Sequence, residues 1–407
     1  MRSNPRLDRW ARSLPPSHPA AIVMGASVNG LSFVRSLSRR GVPTLLLDSE
    51  RLLGTYTRFG RIELLPPIDE APDAWLELLS FVGSRVSTPA VLFATSDAYC
   101  GLLADQERAL SRYYRFVTLS REAMERVLDK RAQYSLAAAN GILIPRTWFP
   151  SSPEEARRQA AELSYPAILK PYKAHVGRRK IARKKVLVAE SAKVMAEEYE
   201  RLAADGTEFM MQEIIPGGDT SLFGYLAFWD GEGRERAWLT KQKLRQSSAF
   251  GDGSLQTTVD APEVARLSRR LLEALDYRGF VGVEFRLDPR DGAFRLMEIN
   301  PRTVSGNQLA IQAGVDFPWL GYRYLTEPAV GESDGSSFRC GVVYVNEEWD
   351  FRAYLALRKS GELSFRDWFR SCLAAEARAL WAWDDPGPLL AVLGRFARAA
   401  LRPREAA

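Results

Sequence analysis

Histidine and cysteine are scarce in this sequence, and their scarcity narrows the chemistry that the protein can perform. The only two histidines are His18 and His175, which nearly excludes histidine-rich zinc sites and most histidine-based catalysis. The three cysteines, Cys100, Cys340 and Cys372, lie far apart and show no CxxC spacing. They cannot form a paired disulfide framework, so the cytoplasm is the expected compartment.

Long apolar runs are also missing. Because no run of about eighteen apolar residues occurs, we expect no membrane span. Residues 1–19 carry charge and proline where a secretory signal needs an unbroken apolar stretch.

The net charge of +6 is spread along the chain, apart from a basic cluster at residues 180–185. This distribution gives weak support for anionic ligands and does not predict nucleic-acid binding.

The chain is longer than one typical core, so two or three domains are expected. Between residues 20 and 119, short apolar runs alternate with helical segments, which predicts a parallel α/β sheet. The next region mixes strands and helices and predicts an α+β catalytic half with antiparallel sheets. We therefore predict an α/β protein with three parts: residues 1–119, residues 120–330 (a connector and small lobe at 120–205, then a second lobe at 206–330), and a helical extension at 331–407.

The strongest motif is a pair of strands joined by a turn, VGVEFRLDPRDGAFRLMEINPR at residues 281–302. The DPRDG turn between apolar strands predicts a hairpin. If the hairpin is centred on Asp291, Glu284 lies opposite Glu298, and the two-residue strand period places Asn300 on the same face. Such hard oxygen ligands favour Mg²⁺ bound together with nucleotide phosphates. The alternative, a solvated hairpin with ordinary surface acids, is disfavoured by the apolar flanks.

The segment MEINPR after a GVEF strand resembles the metal-binding segment of ATP-grasp enzymes. This superfamily includes D-alanine ligase, carbamoyl phosphate synthetase, biotin carboxylase and the D-aspartate ligase-like carboxylate-amine ligases. The resemblance implies that Glu284, Glu298 and Asn300 hold two Mg²⁺ ions, or Mn²⁺, against ATP. It also implies that residues 1–119 form a Rossmann-like pre-ATP-grasp domain and residues 120–330 the ATP-grasp domain.

The same resemblance includes two lysines: Lys130 and Lys170 match lysines that contact ATP phosphates. The basic segment at residues 173–185 resembles the flexible loop that folds over those phosphates, although it contains a single glycine, Gly177. A solvated basic hairpin tip is the alternative for this segment.

The string MMQEIIPGGD resembles the hinge that holds adenine. By spacing, Gln212 and Glu213 would meet the exocyclic amine, Ile215 would offer its backbone to the ring, and Asp219 would bind the ribose hydroxyls. Many relatives have glutamate at the position of Asp219, which puts that contact in doubt. A strand that ends in a turn is the alternative for this string.

Two lysines and an arginine complete the predicted chemistry. Lys241 and Lys243 lie two residues apart on one strand and hence on one face; one of them should reach the terminal phosphate, and Lys243 is the preferred candidate. Arg302 matches the arginine that stabilises the tetrahedral oxyanion in relatives with an INPR segment. The predicted reaction activates a carboxylate as an acyl phosphate, which an amine then attacks. The turn that carries Ser305 and Asn307 is expected to line the acceptor pocket.

The N-terminal glycines are a weaker signal. Gly25 and Gly30 follow a strand and precede a helix, and Asp48 ends the next strand. The segment GASVNG lacks the second glycine of the dinucleotide fingerprint. A tight turn between strand and helix is the favoured interpretation, with substrate binding as the alternative.

Two other functions remain open from the sequence: an ATP-grasp carboxylase, and a nucleotide-binding regulatory protein without turnover. Small-molecule carboxylate and amine substrates are the expected partners, with their identity undetermined and a homo-oligomer left open. The basic amphipathic stretch LLAVLGRFARAALRPR at the end could contact an anionic membrane surface, but docking on the protein's own core is the more common fate of such a helix.

Overall fold

A parallel sheet forms the N-terminal part of the protein, whose computed structural model describes residues 5–16, 18–172, 181, 186–327 and 337–401. Its strands are β1 (Ala21–Met24), β2 (Thr44–Asp48), β3 (Arg61–Leu64), β4 (Ala90–Ala94) and β5 (Tyr114–Arg115). Its helices are α1 (Pro5–Arg12), α2 (Val28–Ser38), α3 (Pro72–Gly83), α4 (Asp97–Asp105) and α5 (Glu107–Leu110), with a 3-10 turn at Leu53–Tyr56. The strand order is β3-β2-β1-β4-β5, with parallel pairing throughout. The predicted parallel α/β unit is therefore confirmed.

Helices α2 and α4 begin at the carboxyl ends of the central strands β1 and β4. Their first turns are capped by Ser27 and Ser96, whose hydroxyls accept from the amides of Asn29 and Tyr99, which satisfies otherwise unpaired donors. Because β1 and β4 are adjacent, the two helix starts meet at the same edge of the sheet.

A small antiparallel sheet follows. The elements are α6 (Arg121–Leu128), α7 (Lys130–Ala139), β6 (Thr147–Trp148), α8 (Pro153–Ala160), β7 (Ala167–Pro171), β8 (Leu187–Ala189), α9 (Ala192–Ala203) and β9 (Phe209–Glu213). The strand order is β6-β9-β7-β8. Apolar side chains of α8 and α9 pack against Leu169 and Met211 of the sheet, so these helices cover one of its faces.

A large antiparallel sheet forms the centre of the molecule. Its elements are a 3-10 turn (Asp219–Ser221), β10 (Leu222–Trp229), β11 (Glu235–Gln246), β12 (Gly253–Thr258), α10 (Pro262–Glu273), β13 (Gly279–Leu287), β14 (Phe294–Asn300), α11 (Asn307–Gln312) and α12 (Phe317–Thr326). Alternate residues along β10 divide between two cores: Tyr225 and Ala227 pack towards α10, whereas Leu226 and Phe228 pack towards α11 and α12. This is the period-two pattern of a sheet that is covered on both faces.

The C-terminal segment adds both strands and helices. Its elements are β15 (Val343–Val345), α13 (Glu347–Lys359), α14 (Phe365–Leu373), β16 (Ala377–Arg378) and α15 (Gly387–Leu401). The sequence predicts a helical extension here, but β15 and β16 lengthen the large sheet to the order β14-β13-β10-β11-β12-β15-β16. The reason is that apolar runs this short carry little signal of their own and form strands where an edge is available.

Two buried ion pairs fix this segment to the rest of the chain. Asp385 accepts from Arg35 of α2 at 2.8 Å, and Asp350 of α13 accepts from Arg245 of β11 at 2.7 Å. Both carboxylates are almost completely buried. Separating the two partners would leave a buried charge uncompensated, which is costly. Each pair therefore favours the position of the C-terminal segment that keeps its two partners in contact.

Candidate active site

Glu284, Glu298 and Asn300 line one cavity of about 320 Å³. Glu284 on β13 lies opposite Glu298 on β14 in the strand register, as the hairpin predicts, and a β-bulge follows immediately after this pair. The Asn300 amide donates to Glu298 Oε1 at 3.2 Å. Three oxygen-bearing side chains therefore converge, while their role as metal ligands stays a prediction.

A row of in-register residues crosses the large sheet beneath this cavity. From β14 to β11 it consists of Glu298, Glu284, Gly224 and Lys241. Paired residues on adjacent strands point to the same face, so a side chain at Gly224 would point into the same space. A Cβ atom built there would lie 2.9 Å from Cε of Lys241. The glycine therefore leaves room for the Lys241 side chain.

Each carboxylate of the facing pair is neutralised by a lysine. Lys243 donates to Glu284 Oε2 at 2.9 Å, and Lys130 at the start of α7 donates to Glu298 Oε2 at 3.1 Å. Burial disfavours the charged form of both lysines, but the paired carboxylate outweighs it and keeps the pKa of each lysine above its ordinary value. Both lysines are therefore cationic at neutral pH, and they offset the repulsion between the two acids.

Lys170, at the end of β7, has a different environment. Its ammonium donates to the Tyr134 hydroxyl at 3.1 Å and lies 5.4 Å from the centroid of the Tyr134 ring. Burial, together with the neighbouring charge of Lys130, lowers the pKa of Lys170 to about 7. An anion beside this group would favour its protonated form.

Lys241 is paired with a neutral side chain, since it donates to Gln256 Oε1 at 2.6 Å. Burial lowers the pKa of Lys241 to about 8, a shift that Glu284 opposes and Lys243 increases. Both Lys241 and Lys243 line the cavity, so the sequence-level choice between them for the terminal phosphate stays open. Of the two, Lys243 also lines a second, adjacent cavity.

Arg302 joins the metal-ligand candidates to the N-terminal sheet. Its guanidinium donates to Asp97 Oδ1 at 2.7 Å and to Asn300 Oδ1 at 3.2 Å. Burial disfavours its charged form, but the Asp97 carboxylate outweighs it and raises the pKa of Arg302. Arg302 thus remains cationic, and its side chain is held at the cavity wall.

The second cavity, of about 110 Å³, lies between the small and large sheets. It shares Lys130, Lys243, Glu284 and Glu298 with the first cavity. Lys170 lines only the second. Because four residues belong to both, the two cavities adjoin at the facing carboxylates and their lysines.

The predicted adenine hinge is placed at the end of β9, outside the residues that line either cavity. The Gln212 amide donates to Tyr134 at 3.1 Å and to Thr147 at 2.7 Å. The Glu213 carboxylate accepts from the Arg146 amide at 2.9 Å and pairs with Arg290 at 3.0 Å. The Glu213 carboxylate and the amide nitrogen of Gln212 are therefore engaged within the protein, whereas Oε1 of Gln212 is buried without a partner among the described residues.

The other two hinge candidates have distinct positions. Ile215 is buried. Asp219 accepts from the backbone amide and side-chain amide of Gln246, each at 2.7 Å, and Gln246 lines the second cavity. Asp219 thus contacts a residue that lines the cavity but does not line it itself. The predicted phosphate loop at residues 173–185, except Ile181, lies outside the described residues.

The N-terminal glycines form a tight turn. A Cβ atom at Gly30 would lie 1.8 Å from the carbonyl oxygen of Gly25, so the turn needs glycine at that position for space. Asp48 stabilises the turn by accepting from the Ala26 amide and from the Tyr99 hydroxyl. These contacts agree with the favoured structural interpretation of the segment.

Several cavity residues were missed by sequence reasoning. Asp97 and Asn29 come from the starts of α4 and α2, and Trp349 comes from α13. Polar residues at the carboxyl ends of parallel strands are a recognisable signal, which could have identified Asp97. No pattern in the sequence around Trp349 predicts its place in the cavity. Ser305 lines the cavity as predicted, whereas Asn307 instead donates to Ser32 at 2.8 Å.

Comparison with known proteins gives a family match in the region of the site. Residues 208–347 match the family model described as ATP-grasp in the biosynthetic pathway with Ter operon. The chain is similar to a D-aspartate ligase of Enterococcus faecium (strain Aus0004), with 23% identity over 326 residues that cover 76% of each protein.

Solved structures share the fold at low sequence identity. An N5-carboxyaminoimidazole ribonucleotide synthetase in its ADP complex has a TM-score of 0.62 at 15% identity, covering 86% of both chains. The L-amino acid ligase of Bacillus licheniformis has a TM-score of 0.58 at 16% identity, covering 77% of this chain and 75% of that one.

Proposed function

Because this chain has the ATP-grasp fold and carries an ATP-grasp domain at residues 208–347, we propose that it is an ATP-dependent ligase that activates a carboxylate as an acyl phosphate and joins it to an amine. The observation that carries this proposal is the convergence of Glu284, Glu298 and Asn300 on one cavity with four basic side chains. The basic side chains are Lys130, Lys241, Lys243 and Arg302.

The donor set of the site fits Mg²⁺. Two carboxylates and an amide carbonyl are hard oxygen ligands, and the described residues that line the cavity include no histidine or cysteine. Mg²⁺, with Mn²⁺ as a substitute, therefore suits this donor set better than softer metals. We propose that Glu284, Glu298 and Asn300 hold two such ions. When bound, the ions neutralise charge on the phosphate oxygens during transfer.

The lysines that pair with Glu284 and Glu298 lie beside the proposed metal ligands. In the proposed complex, Lys243 and Lys130 exchange part of their interaction with these carboxylates for the phosphate oxygens of ATP. Lys243 takes the terminal phosphate, and Lys170 takes a phosphate from the side of the small sheet. The charge that spreads over the transferring group is thus met by preorganised cations.

The proposed reaction has two steps. The substrate carboxylate attacks the terminal phosphorus of ATP, the bond from that phosphorus to the bridging oxygen breaks, and ADP leaves. The amine nitrogen then attacks the acyl carbon, phosphate leaves with the C–O electron pair, and the nitrogen loses a proton. Arg302 stabilises the tetrahedral oxyanion, and its permanent charge suits this role because no protonation change is needed.

We place the two substrates of the ligation in the first cavity. Its lining also includes Asn29 and Asp97 of the N-terminal unit and Trp349 of the C-terminal segment. We place the adenosine next to the second cavity, towards the end of β9. The Glu213 carboxylate is engaged with Arg146 and Arg290, whereas Oε1 of Gln212 is buried without a partner among the described residues. We therefore assign adenine recognition to Gln212 and the backbone at Ile215, with Asp219 and its partner Gln246 beside the ribose.

The test is a two-substrate screen of the full chain with Mg²⁺ and ATP. Pairs drawn from amino acids, other small carboxylates and amines are incubated, ADP is quantified, and the ligated product is detected by mass. Formation of ADP that requires both a carboxylate and an amine, with an amide product of matching mass, supports the proposal.

Two outcomes would oppose it. ADP formation that depends on bicarbonate and needs no other carboxylate would indicate a carboxylating enzyme instead. ATP binding by calorimetry without turnover for any pair would favour a regulatory nucleotide-binding protein. Glu298→Gln is the reference variant in all assays, since a contaminating ATPase would be unaffected by it.

A further inference from the structure

Helix α14 carries a row of exposed apolar side chains that the proposed ligase function does not use. Phe365, Phe369 and Leu373 are 57%, 47% and 63% exposed. They are spaced four residues apart and therefore lie along one side of the helix. The rings of Phe365 and Phe369 stack at 5.8 Å, so the row forms a continuous apolar strip.

Another side of α14 is fixed to the protein. Trp368 donates to the buried carboxylate of Asp350 at 2.8 Å and stacks on Tyr354 at 4.6 Å. Ser371 accepts from Arg245 at 3.1 Å. These contacts set the rotation of the helix. Phe365 borders the fixed side and also contacts Tyr354 and Trp368, and the strip remains exposed along its length.

Charge is arranged asymmetrically around this strip. At about 100° per residue, Arg366 and Arg370 lie directly beside Leu373, whereas the helix's single acid, Asp367, lies on the far side from Phe369. Arg366 and Arg370 are both exposed. The strip is thus bordered by positive charge, which is the pattern of a helix that lies in a lipid interface with its basic residues at the headgroups.

The neighbouring helix α15 has a similar outer surface. Its Val392 and Phe396 pack on the protein's own core, but Leu390 and Leu393 remain 58% and 53% exposed, and Arg395 and Arg398 are also exposed. Phe351 of α13 contacts both Trp368 of α14 and Phe396 of α15, so α14 and α15 flank the same helix.

We propose that α14 docks this protein reversibly on an anionic membrane surface, with Phe365, Phe369 and Leu373 inserted among the lipids and Arg366 and Arg370 at the headgroups. Among the described residues no helix is suited to span a bilayer, so the attachment is peripheral. The commitment to lipid rests on the charge pattern, because basic residues beside apolar ones are attracted to negatively charged headgroups.

The experiment is co-sedimentation of the full chain with vesicles of phosphatidylglycerol and phosphatidylcholine, compared with vesicles of phosphatidylcholine alone. We expect binding to the anionic vesicles that weakens as salt is raised. The triple variant Phe365→Ser, Phe369→Ser, Leu373→Ser should bind at least about tenfold more weakly, because it removes the inserted side chains. The pair Arg366→Glu, Arg370→Glu should lose binding to the anionic vesicles.

Matched controls distinguish binding through this surface from nonspecific apolar or electrostatic binding to the vesicles. The triple variant Leu64→Ser, Leu143→Ser, Val188→Ser removes three other exposed apolar side chains, and Arg108→Glu with Arg112→Glu makes the same charge change on the N-terminal unit. Both should bind vesicles like the unmodified chain. ATP binding by calorimetry verifies that every variant is folded.

Three results would overturn the proposal. The first is no vesicle binding by the full chain, and the second is equal loss in the matched controls. The third is a dimer in light scattering that the α14 variants dissociate, since the strip would then contact a second copy of the chain rather than lipid.

Discussion

The ammonium of Lys130 lies 3.1 Å from a carboxylate oxygen of Glu298, so a predicted phosphate ligand and a predicted metal ligand neutralise each other. An equivalent pair joins Lys243 to Glu284 at 2.9 Å. In both pairs the lysine occupies the space beside the carboxylate that a metal ion would share. In the proposed complex, metal ions would replace lysines at the acids, and phosphates would replace acids at the lysines.

Glu298→Gln removes one charge from this arrangement while keeping its shape. The amide oxygen can still accept from Asn300, so we expect the fold to be retained. Turnover should fall by at least about a hundredfold, because a charged ligand of the proposed metal ions is lost. Steady-state ADP formation measures the effect, and the melting temperature verifies the fold.

The matched control is Glu263→Gln, which removes a surface acid that pairs with Arg266 at 2.7 Å. Its activity should equal that of the unmodified chain. Unchanged turnover in Glu298→Gln would refute the metal assignment.

Nucleotide binding should be coupled to proton uptake at Lys170. Burial and Lys130 lower the pKa of Lys170 to about 7, so most of this lysine is neutral above that pH in the free protein. A bound phosphate favours the ammonium, and the protein therefore takes up protons on binding between pH ~7 and the ordinary lysine pKa of about 10.4. Well below pH ~7 the lysine is already charged, and the uptake should vanish.

Calorimetry of ATP binding at pH ~8 in buffers of different ionisation enthalpy measures the protons taken up per site. Lys170→Ala should reduce this number and weaken ATP binding. It should not abolish the uptake, because the pKa of Lys241 is also lowered, to about 8. An uptake that is identical in Lys170→Ala and the unmodified chain would show that Lys170 does not meet the phosphates.

The parallel sheet and the facing acids could be predicted because local patterns determine them. The alternation around Glu284 and Glu298, with a short turn between them, specifies both the pairing and the face. Other residues of the cavity were harder to predict: Asp97 reaches Arg302 across 205 residues of sequence, and Trp349 follows β15, whose place in the sheet was not predicted. Such contacts depend on how the units pack against each other, and the hydrophobic periodicity of a single segment does not predict that packing.

The Asp97–Arg302 contact should affect the second chemical step more than nucleotide binding. Asp97→Asn keeps a hydrogen-bond acceptor but removes the charge that orients the guanidinium, so we expect kcat to fall by about tenfold through misplacement of Arg302. The KM for ATP should change little. Asp105→Asn, at the other end of the same helix, is the control and should leave both kcat and the KM for ATP unchanged. A larger change in the KM for ATP than in kcat would place Asp97 in nucleotide binding instead.

Gly224 should matter through Lys241 rather than through the backbone. Gly224→Val places a branched side chain where a Cβ atom alone would already lie 2.9 Å from Lys241 Cε. The lysine must then move, and we expect turnover to fall by about ten- to a hundredfold. Gly231→Val, in the turn after β10, is the control, because the nearest atom to its Cβ is the Tyr324 hydroxyl at 3.2 Å. Normal turnover in Gly224→Val would mean that Lys241 has no part in the reaction.

The buried pair of Arg35 and Asp385 should stabilise the whole chain, because it links the N-terminal unit to the C-terminal segment. The two side chains are 2% and 0% exposed, and Asp385 also accepts from the Thr57 hydroxyl at 2.7 Å and the Arg58 amide at 2.9 Å. Asp385→Asn leaves the Arg35 charge buried without its counterion, which should lower the free energy of unfolding by about 3 kcal/mol or more.

The adjacent residue supplies the comparison for this last variant. Asp384 pairs with Arg39, but these side chains are 46% and 37% exposed, and solvent screens such a pair, so Asp384→Asn should cost at most about 1 kcal/mol. Denaturant unfolding of both variants measures the difference. Equal destabilisation would show that burial of the Arg35 pair adds nothing, and that the C-terminal segment is held instead by the apolar contacts around Val392 and Leu380.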